Sequence, residues 1–244
     1  MGIGREAAQD PVDHWLARIA PGQSVVDIGG IGEFSTNERC SWAQRHGASR
    51  VAMADLEPFD HHLWRHWRAE TSRLGVTGIE EFQRVNLDDA DLPRILGQWD
   101  VVHSTGILYH VPNPVHSLLN LRRLVKRWLI VNTVVLPQVI ENAAGTLRLP
   151  DCAAGLFAAL RGQERAVIGE HYRTRFGMDI DALAPVRQEG AVMPYMRDGA
   201  PSYYPYWWIF TVPAFEALLE MLEMKVRERW TWEEHAHFVL LEKA

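Results

Sequence analysis

Only two cysteines, Cys40 and Cys152, occur in the 244 residues, far apart and in neither metal-ligand nor disulfide spacing. Their scarcity excludes a disulfide-stapled scaffold and a cysteine-ligated zinc module, no metal site is expected, and a reducing cytoplasm is the expected location. Long apolar runs are missing as well. No window approaches the roughly 20 apolar residues that a membrane helix requires, and the opening MGIGREAAQD lacks the apolar core of a secretion signal. Runs of lysine or arginine are also absent, and the formal net charge is -6. Such a chain offers no electrostatic footprint for nucleic acid or an anionic membrane, which favours a small-molecule partner and leaves self-association into a homo-oligomer open. Repeats and low-complexity tracts do not occur, so organisation has to be read from periodicity and punctuation.

What is present is apolar content of 47%, ample for one α/β domain over residues 1–244 with an inserted segment. Short apolar runs alternate with amphipathic stretches and predict a doubly wound, mostly parallel, Rossmann-like sheet. Its first five strands are expected at 24–28, 50–55, 81–86, 100–104 and 127–135. In NPVHSLLNLRRLV, Asn113 is suited to cap a helix and Pro114 to begin it, while Val115, Leu118, Leu119 and Val125 recur at helical spacing. Alternation then stops. Residues 137–205 are irregular in Gly, Pro and Arg and lead into the aromatics Tyr203, Tyr204, Tyr206, Trp207 and Trp208, which predicts an inserted lid or substrate-binding segment. Beyond it, Val212, Phe215, Leu218, Leu219 and Leu222 form a helical stripe, and strands at 225–230 and 237–241 bring the sheet to seven.

The first strand runs into GGIGEFS, which puts Asp27, Gly29, Gly30 and Gly32 between a strand and a helix expected from Ser35 or Thr36. Glycines allow a sharp turn and close approach of a ligand to backbone amides, although a tight turn that binds nothing has the same pattern. The second strand ends in VAMADLEP, with Asp55 placed to accept ribose hydroxyls roughly twenty residues beyond the glycines. NLDD after the third strand offers Asp88 to an adenine amino group. Three strand ends thus aim polar groups at one crevice, where open α/β sheets bind ligands.

These segments resemble class I S-adenosylmethionine-dependent methyltransferases. VVDIGGIGEFS is similar to their first motif, VAMADLEP to their second, NLDD to the loop flanking adenine and WDVVHSTGILYHVPNP to their fourth. GILYHVPNPVHSLLNLRRL followed by WLIVNTVV, and later WWIFTVPAFEALLEMLEMKV, resemble the subgroup holding tRNA wobble-uridine carboxymethyltransferases and methyltransferases of small metabolites and sugars. The resemblance implies S-adenosylmethionine as cofactor, with Asp27, Gly29, Gly30 and Gly32 near its methionine part. It implies Asp55 and Leu56 at the ribose, Leu87 and Asp88 at the adenine, and Ser104, Thr105 and Gly106 beside the sulfonium. The glycines read D-x-G-G-x-G, with Ile31 where a further glycine is common. Acidic charge and a short stretch before the first strand oppose the wobble-uridine reading.

Methyl transfer needs alignment and, for a hydroxyl acceptor, a base. His110, after the fourth strand, is the candidate base, with packing in the turn before Pro112 as its alternative. Tyr109, His110, Arg173, Tyr203, Tyr204, Trp207 and Trp208 are candidate acceptor-binding residues, although Arg173 and Arg175 read more readily as solvated surface. His103 reads as a satisfied core histidine, and His62 and His66, although four apart, as a helix face. The expected activity is O-methylation of a natural-product intermediate or sugar. A tRNA-modifying methyltransferase, a nicotinamide-dependent oxidoreductase and a non-catalytic cofactor-binding protein are the alternatives.

Overall fold

SVVDI forms strand β1 (Ser24–Ile28), and every one of its residues is buried because helices cover both faces of the sheet. The computed structural model describes residues 11–32, 38–180, 196–197, 200–201 and 206–243. Helix α1 (Pro11–Ile19) lays Val12, Trp15, Leu16 and Ile19 against one sheet face, beside α2 (Cys40–Arg45). Strand β2 (Arg50–Ala54), helix α3 (His62–Arg73), strand β3 (Glu80–Phe82), helix α4 (Leu92–Leu96), strand β4 (Trp99–Ser104), helix α5 (Pro114–Leu124) and strand β5 (Val125–Val134) follow in alternation.

The described residues between 139 and 210 leave the sheet. They contain the hairpin β6 (Val139–Asn142) and β7 (Gly145–Arg148), strand β8 (Ala154–Leu156), a 3-10 turn (Phe157–Ala159) and helix α6 (Gly162–Phe176). The short pair β9 (Met196–Arg197) and β10 (Ala200–Pro201) precedes β11 (Trp208–Phe210), which runs antiparallel to β8. Helix α7 (Val212–Glu220) and strands β12 (Met224–Trp232) and β13 (Ala236–Lys243) complete the fold. The main sheet has the order β12-β13-β5-β4-β1-β2-β3. Only β13 runs against its neighbours. The expected doubly wound, seven-stranded, mostly parallel architecture is therefore present.

Differences from expectation have local causes. Strand β3 stops at Phe82 rather than 86 because Arg84 takes a left-handed φ of 55°, which a strand cannot carry. Val125 already belongs to β5, so α5 passes into the strand with no loop. On α5 the buried face is Leu118, Leu121 and Leu124, while Leu119 is exposed. The segment expected to be irregular has a core of its own, with Ile140, Phe157, Val167, Ile168, Tyr172, Tyr206 and Ile209 packed on Val134 and Leu136 at the end of β5. Among the described residues, no helix is long and apolar enough to cross a membrane.

Candidate cofactor and acceptor site

The strand order reverses between β1 and β4, and open sheets hold ligands outside the carboxyl ends of such strands. There the chain leaves β1 through its glycines. Gly29 has φ +87°, and a Cβ on it would lie 2.4 Å from Ile107 Cδ1. A Cβ on Gly30 would lie 2.6 Å from Asp27 Oδ2 and 2.9 Å from Met53 Cε. Gly32 differs from both: a Cβ there would meet nothing within 4 Å among the described residues. Packing demands the first two glycines, whereas the third leaves open space beside the backbone.

Asp27 is fully buried, and both of its carboxylate oxygens are engaged. Oδ1 lies 2.7 Å from His103 Nδ1, and Oδ2 accepts the Arg39 backbone N–H at 2.6 Å. Thr105 Oγ1 lies 3.2 Å from the other ring nitrogen of His103. Arg39 in turn pairs with Asp13 on α1 at 3.0 Å. Asp27 thus ties β1 to β4 and to the chain that returns from the turn.

Asp55 sits at the end of β2, 8% exposed, with Oδ1 accepting the Glu57 N–H at 3.0 Å. Burial pushes its carboxyl up to about 7, against the opposing N–H groups of Glu57 and Ile31. Leu56 beside it and Leu87 are buried. The Leu87 carbonyl accepts Asn120 Nδ2 at 2.7 Å, and Asp88 Oδ1 accepts the Ser117 hydroxyl at 2.6 Å. At the end of β4, Ser104 is buried and its hydroxyl has no partner among the described residues. Gly106, at φ 78°, donates its N–H to Asn132 Oδ1 at 2.5 Å. Glu38, beyond the turn, is pushed up to about 6 by burial and by the nearby Asp27 charge. A cavity of about 190 Å³ opens on the α2–α3 side of the turn, lined in part by Gly32, Glu38 and Trp42. It does not include Asp55, Ser104 or His110, so the strand ends rather than this hollow define the site.

Above β4 an aromatic group gathers. Tyr109 and His110 have ring centroids 4.1 Å apart, and Tyr206 lies 4.7 Å from Tyr109 and 4.8 Å from His110, edge-on to the latter at 88°. Phe157 and Tyr172 of the inserted segment close the group at 5.8 Å and 6.2 Å from Tyr206. The Tyr109 carbonyl accepts the Trp207 N–H at 2.7 Å, and Trp208 Nε1 donates to the Pro112 carbonyl at 3.2 Å. Burial, with Tyr206 and Tyr172 nearby, raises the Tyr109 phenol well above its ordinary range.

No family model matches the chain, and no curated protein sequence matches it. Solved structures do. An S-adenosylmethionine dependent methyltransferase from Mesorhizobium loti aligns over 98% of this chain and 99% of its own, with TM-score 0.56 and 15% identity. A Burkholderia thailandensis 1,6-didemethyltoxoflavin-N1-methyltransferase aligns over 98% and 79%, with TM-score 0.54 and 14% identity. Magnesium protoporphyrin IX methyltransferase from Synechocystis PCC 6803 aligns over 96% and 81%, with TM-score 0.54 and 14% identity. The chain has the S-adenosylmethionine-dependent methyltransferase fold.

In this methyltransferase fold the residues singled out from sequence fall into two layers. Asp27, Gly29, Gly30, Gly32, Asp55, Leu56, Leu87, Asp88, Ser104, Thr105 and Gly106 lie along the carboxyl edge of β1 to β4, while Tyr109, His110 and Trp207 stand above β4. Arg173 is not brought to them: it is an exposed residue of α6, bonded to Glu170 at 2.9 and 2.6 Å. His62 and His66 are exposed on α3, whose Trp64 and Trp67 are the buried residues. Tyr203, Tyr204 and the expected helix start at Ser35 or Thr36 lie outside the described residues. Sequence reasoning passed over the pairing of His103 with Asp27, the role of Asn132, and Tyr172. Asn132 left one signal, a polar residue inside the apolar strand WLIVNTVV.

Proposed function

We propose that this chain is an S-adenosylmethionine-dependent methyltransferase that methylates a hydroxyl of a small molecule, a natural-product intermediate or a sugar. One observation carries the reading: the glycine turn leaves β1 between two strand ends, β2 with the buried carboxyl of Asp55 and β4 with the buried hydroxyl of Ser104, which has no partner among the described residues. These groups fit the cofactor. The turn backbone would receive its amino-acid end, Asp55 and Leu56 the ribose, Leu87 and Asp88 the adenine, and Ser104, Thr105 and Gly106 the region of the sulfur. Bound there, S-adenosylmethionine supplies a methyl group on a cationic sulfur that departs with the bonding electron pair.

The chain's own residues supply alignment and proton transfer. His110, next to Tyr109 in the turn after β4, takes the acceptor's proton as its oxygen bonds to carbon. Residues 137–205 act as the acceptor-binding lid of a single domain. Two structural neighbours are named for small acceptors, magnesium protoporphyrin IX and 1,6-didemethyltoxoflavin, which supports a small-molecule substrate. The free thiols Cys40 and Cys152 fit a cytoplasmic location.

Thermal unfolding with added ligand tests the reading. S-adenosylhomocysteine at one hundred times its Kd should add about 2.7 kcal/mol of stability. That corresponds to a rise of roughly 5–10 °C for a chain of this size. NADH should add nothing, and a shift with NADH alone would replace methyl transfer by nicotinamide chemistry.

A further inference from the structure

The peptide that joins Glu38 to Arg39, where the chain comes back from the glycine turn, is held at both of its polar ends. Its N–H donates to Asp27 Oδ2 at 2.6 Å, and its carbonyl accepts Arg39 Nη1 at 2.9 Å. Glu38 Oε1 also accepts the Ser41 N–H at 2.7 Å, which ties the same residue to the start of α2. Arg39 therefore clamps its own backbone with its guanidinium, and the residue that steadies the guanidinium belongs to another element. Arg39 Nε pairs with Asp13 Oδ1 of α1 at 3.0 Å, the two side chains being 7% and 13% exposed.

This ion pair is not what docks α1. Val12, Trp15, Leu16 and Ile19 bury the helix against the sheet. Glu228 on β12 ties it a second time, accepting Trp15 Nε1 at 2.8 Å and pairing with Arg18. Withdrawing two charges from water offsets much of their attraction, so a buried pair adds little net stability over apolar packing. What the pair does supply is direction. A guanidinium carries its donors in a rigid planar fork, so fixing Nε on Asp13 also aims Nη1 at the Glu38 carbonyl. Contacts then run without a break from α1 through Arg39 to Asp27 and on to His103 of β4, whereas the Glu228 tether joins α1 to β12 and not to the turn.

We propose that α1 is part of the cofactor site, and that Asp13, acting through Arg39, is a positioning residue for the turn that receives the cofactor's amino-acid end. This rests on the methyl-transfer reading. It assigns to the first turn of α1 a role that its distance in sequence from the glycines conceals.

The test is calorimetry of the full chain with two ligands. S-adenosylhomocysteine carries the amino-acid end, and 5′-methylthioadenosine keeps the nucleoside and the sulfur without it. Asp13→Asn retains the shape and removes the charge. It should weaken S-adenosylhomocysteine by about 3- to 30-fold, the range for residues that act through a contact network, and leave 5′-methylthioadenosine unchanged. Arg39→Lys keeps the charge but not the fork; it should show the same selective loss, and it serves if Asp13→Asn does not fold. Glu228→Gln loosens the same helix at its other tether and should leave both affinities at their wild-type values, whatever its Tm. Wild-type affinity for S-adenosylhomocysteine in Asp13→Asn and Arg39→Lys, an equal loss in Glu228→Gln, or a parallel loss of 5′-methylthioadenosine overturns the proposal. A wild-type chain that does not bind S-adenosylhomocysteine removes the methyl-transfer reading beneath it, a separate outcome.

Discussion

Asp27 Oδ1 and His103 Nδ1 meet at 2.7 Å across the junction of β1 and β4, each side chain 1% exposed. The two residues are direct register partners, so parallel pairing alone brings them together. Their junction is the place where strand order reverses and where the glycine turn begins. A buried carboxylate there holds the backbone of the returning chain through the Arg39 N–H at 2.6 Å. Electrostatics at this point organises the turn.

Replacing His103 with leucine leaves Asp27 buried with one of its two partners gone. Breaking a buried pair on one side costs about 3–5 kcal/mol. For a chain of this length that corresponds to a fall in Tm of roughly 6–20 °C. Asp27→Asn in the same background should restore part of it, since the uncompensated charge is removed. Thermal unfolding of the single and double variants reads this, and equal Tm values for His103→Leu and wild type would rule it out.

The glycines separate packing from binding. Gly29→Ala forces a side chain into a φ of +87° and onto Ile107, 2.4 Å away. Its cost is about 1–3 kcal/mol, visible as a lower Tm without ligand. Gly32→Ala meets no neighbour within 4 Å among the described residues. It should unfold like wild type yet bind S-adenosylhomocysteine at least about tenfold more weakly, because the new methyl group occupies space that ligand fills. Calorimetry showing full affinity in Gly32→Ala would remove the ligand from that side of the turn.

Asn132 supports the floor of the site from β5. Its Oδ1 receives the Gly106 N–H at 2.5 Å, with Asn132 only 5% exposed. Asn132→Val keeps the strand's shape and leaves that N–H unpaired, which costs about 1–3 kcal/mol. Both Tm and S-adenosylhomocysteine affinity should fall, and His110→Ala, in the turn beyond, should change neither by a comparable amount while slowing turnover. Unchanged binding in Asn132→Val would separate β5 from the site.

Periodicity carried the sheet because its strands are buried on both faces and read as uninterrupted apolar runs; β1 matches its expected bounds residue for residue. Boundaries slipped where one dihedral or one missing loop decides them, as at Arg84 and Val125. Motifs likewise brought out the strand-end residues from Asp27 to Gly106. The Asp27–His103 pair was not legible, because it depends on β4 lying next to β1, a long-range fact that the local pattern around His103 does not contain. Tyr172 was hidden for a related reason: within HYRTRFG its arginine neighbours drew attention, and only the fold shows that Arg173 faces solvent while Tyr172 faces Phe157 and Tyr206.

Asp55 gives the site a pH signature. Its carboxyl is raised by burial to about 7 in the folded chain, against an ordinary value of 3.8. In the unfolded chain the group is ionised well below neutrality, so between these limits the folded state holds a proton that the unfolded state has lost. Its stabilising contribution is complete below the ordinary value and is lost as pH rises through about 7, and Glu38, raised to about 6, adds to the same trend. Ligand binding runs the other way. Ribose hydroxyls are held best by the ionised carboxylate, so S-adenosylhomocysteine affinity should climb from pH 6 to pH 8 while Tm without ligand declines. Asp55→Asn mimics the protonated form: it should flatten both profiles and weaken binding at pH 8 by about tenfold, and Asp55→Ala should weaken it at least as much. Calorimetry and thermal unfolding across that range check the two slopes together. Parallel rather than opposed slopes in the wild type, or steep profiles that persist in Asp55→Asn, would remove Asp55 from the ribose.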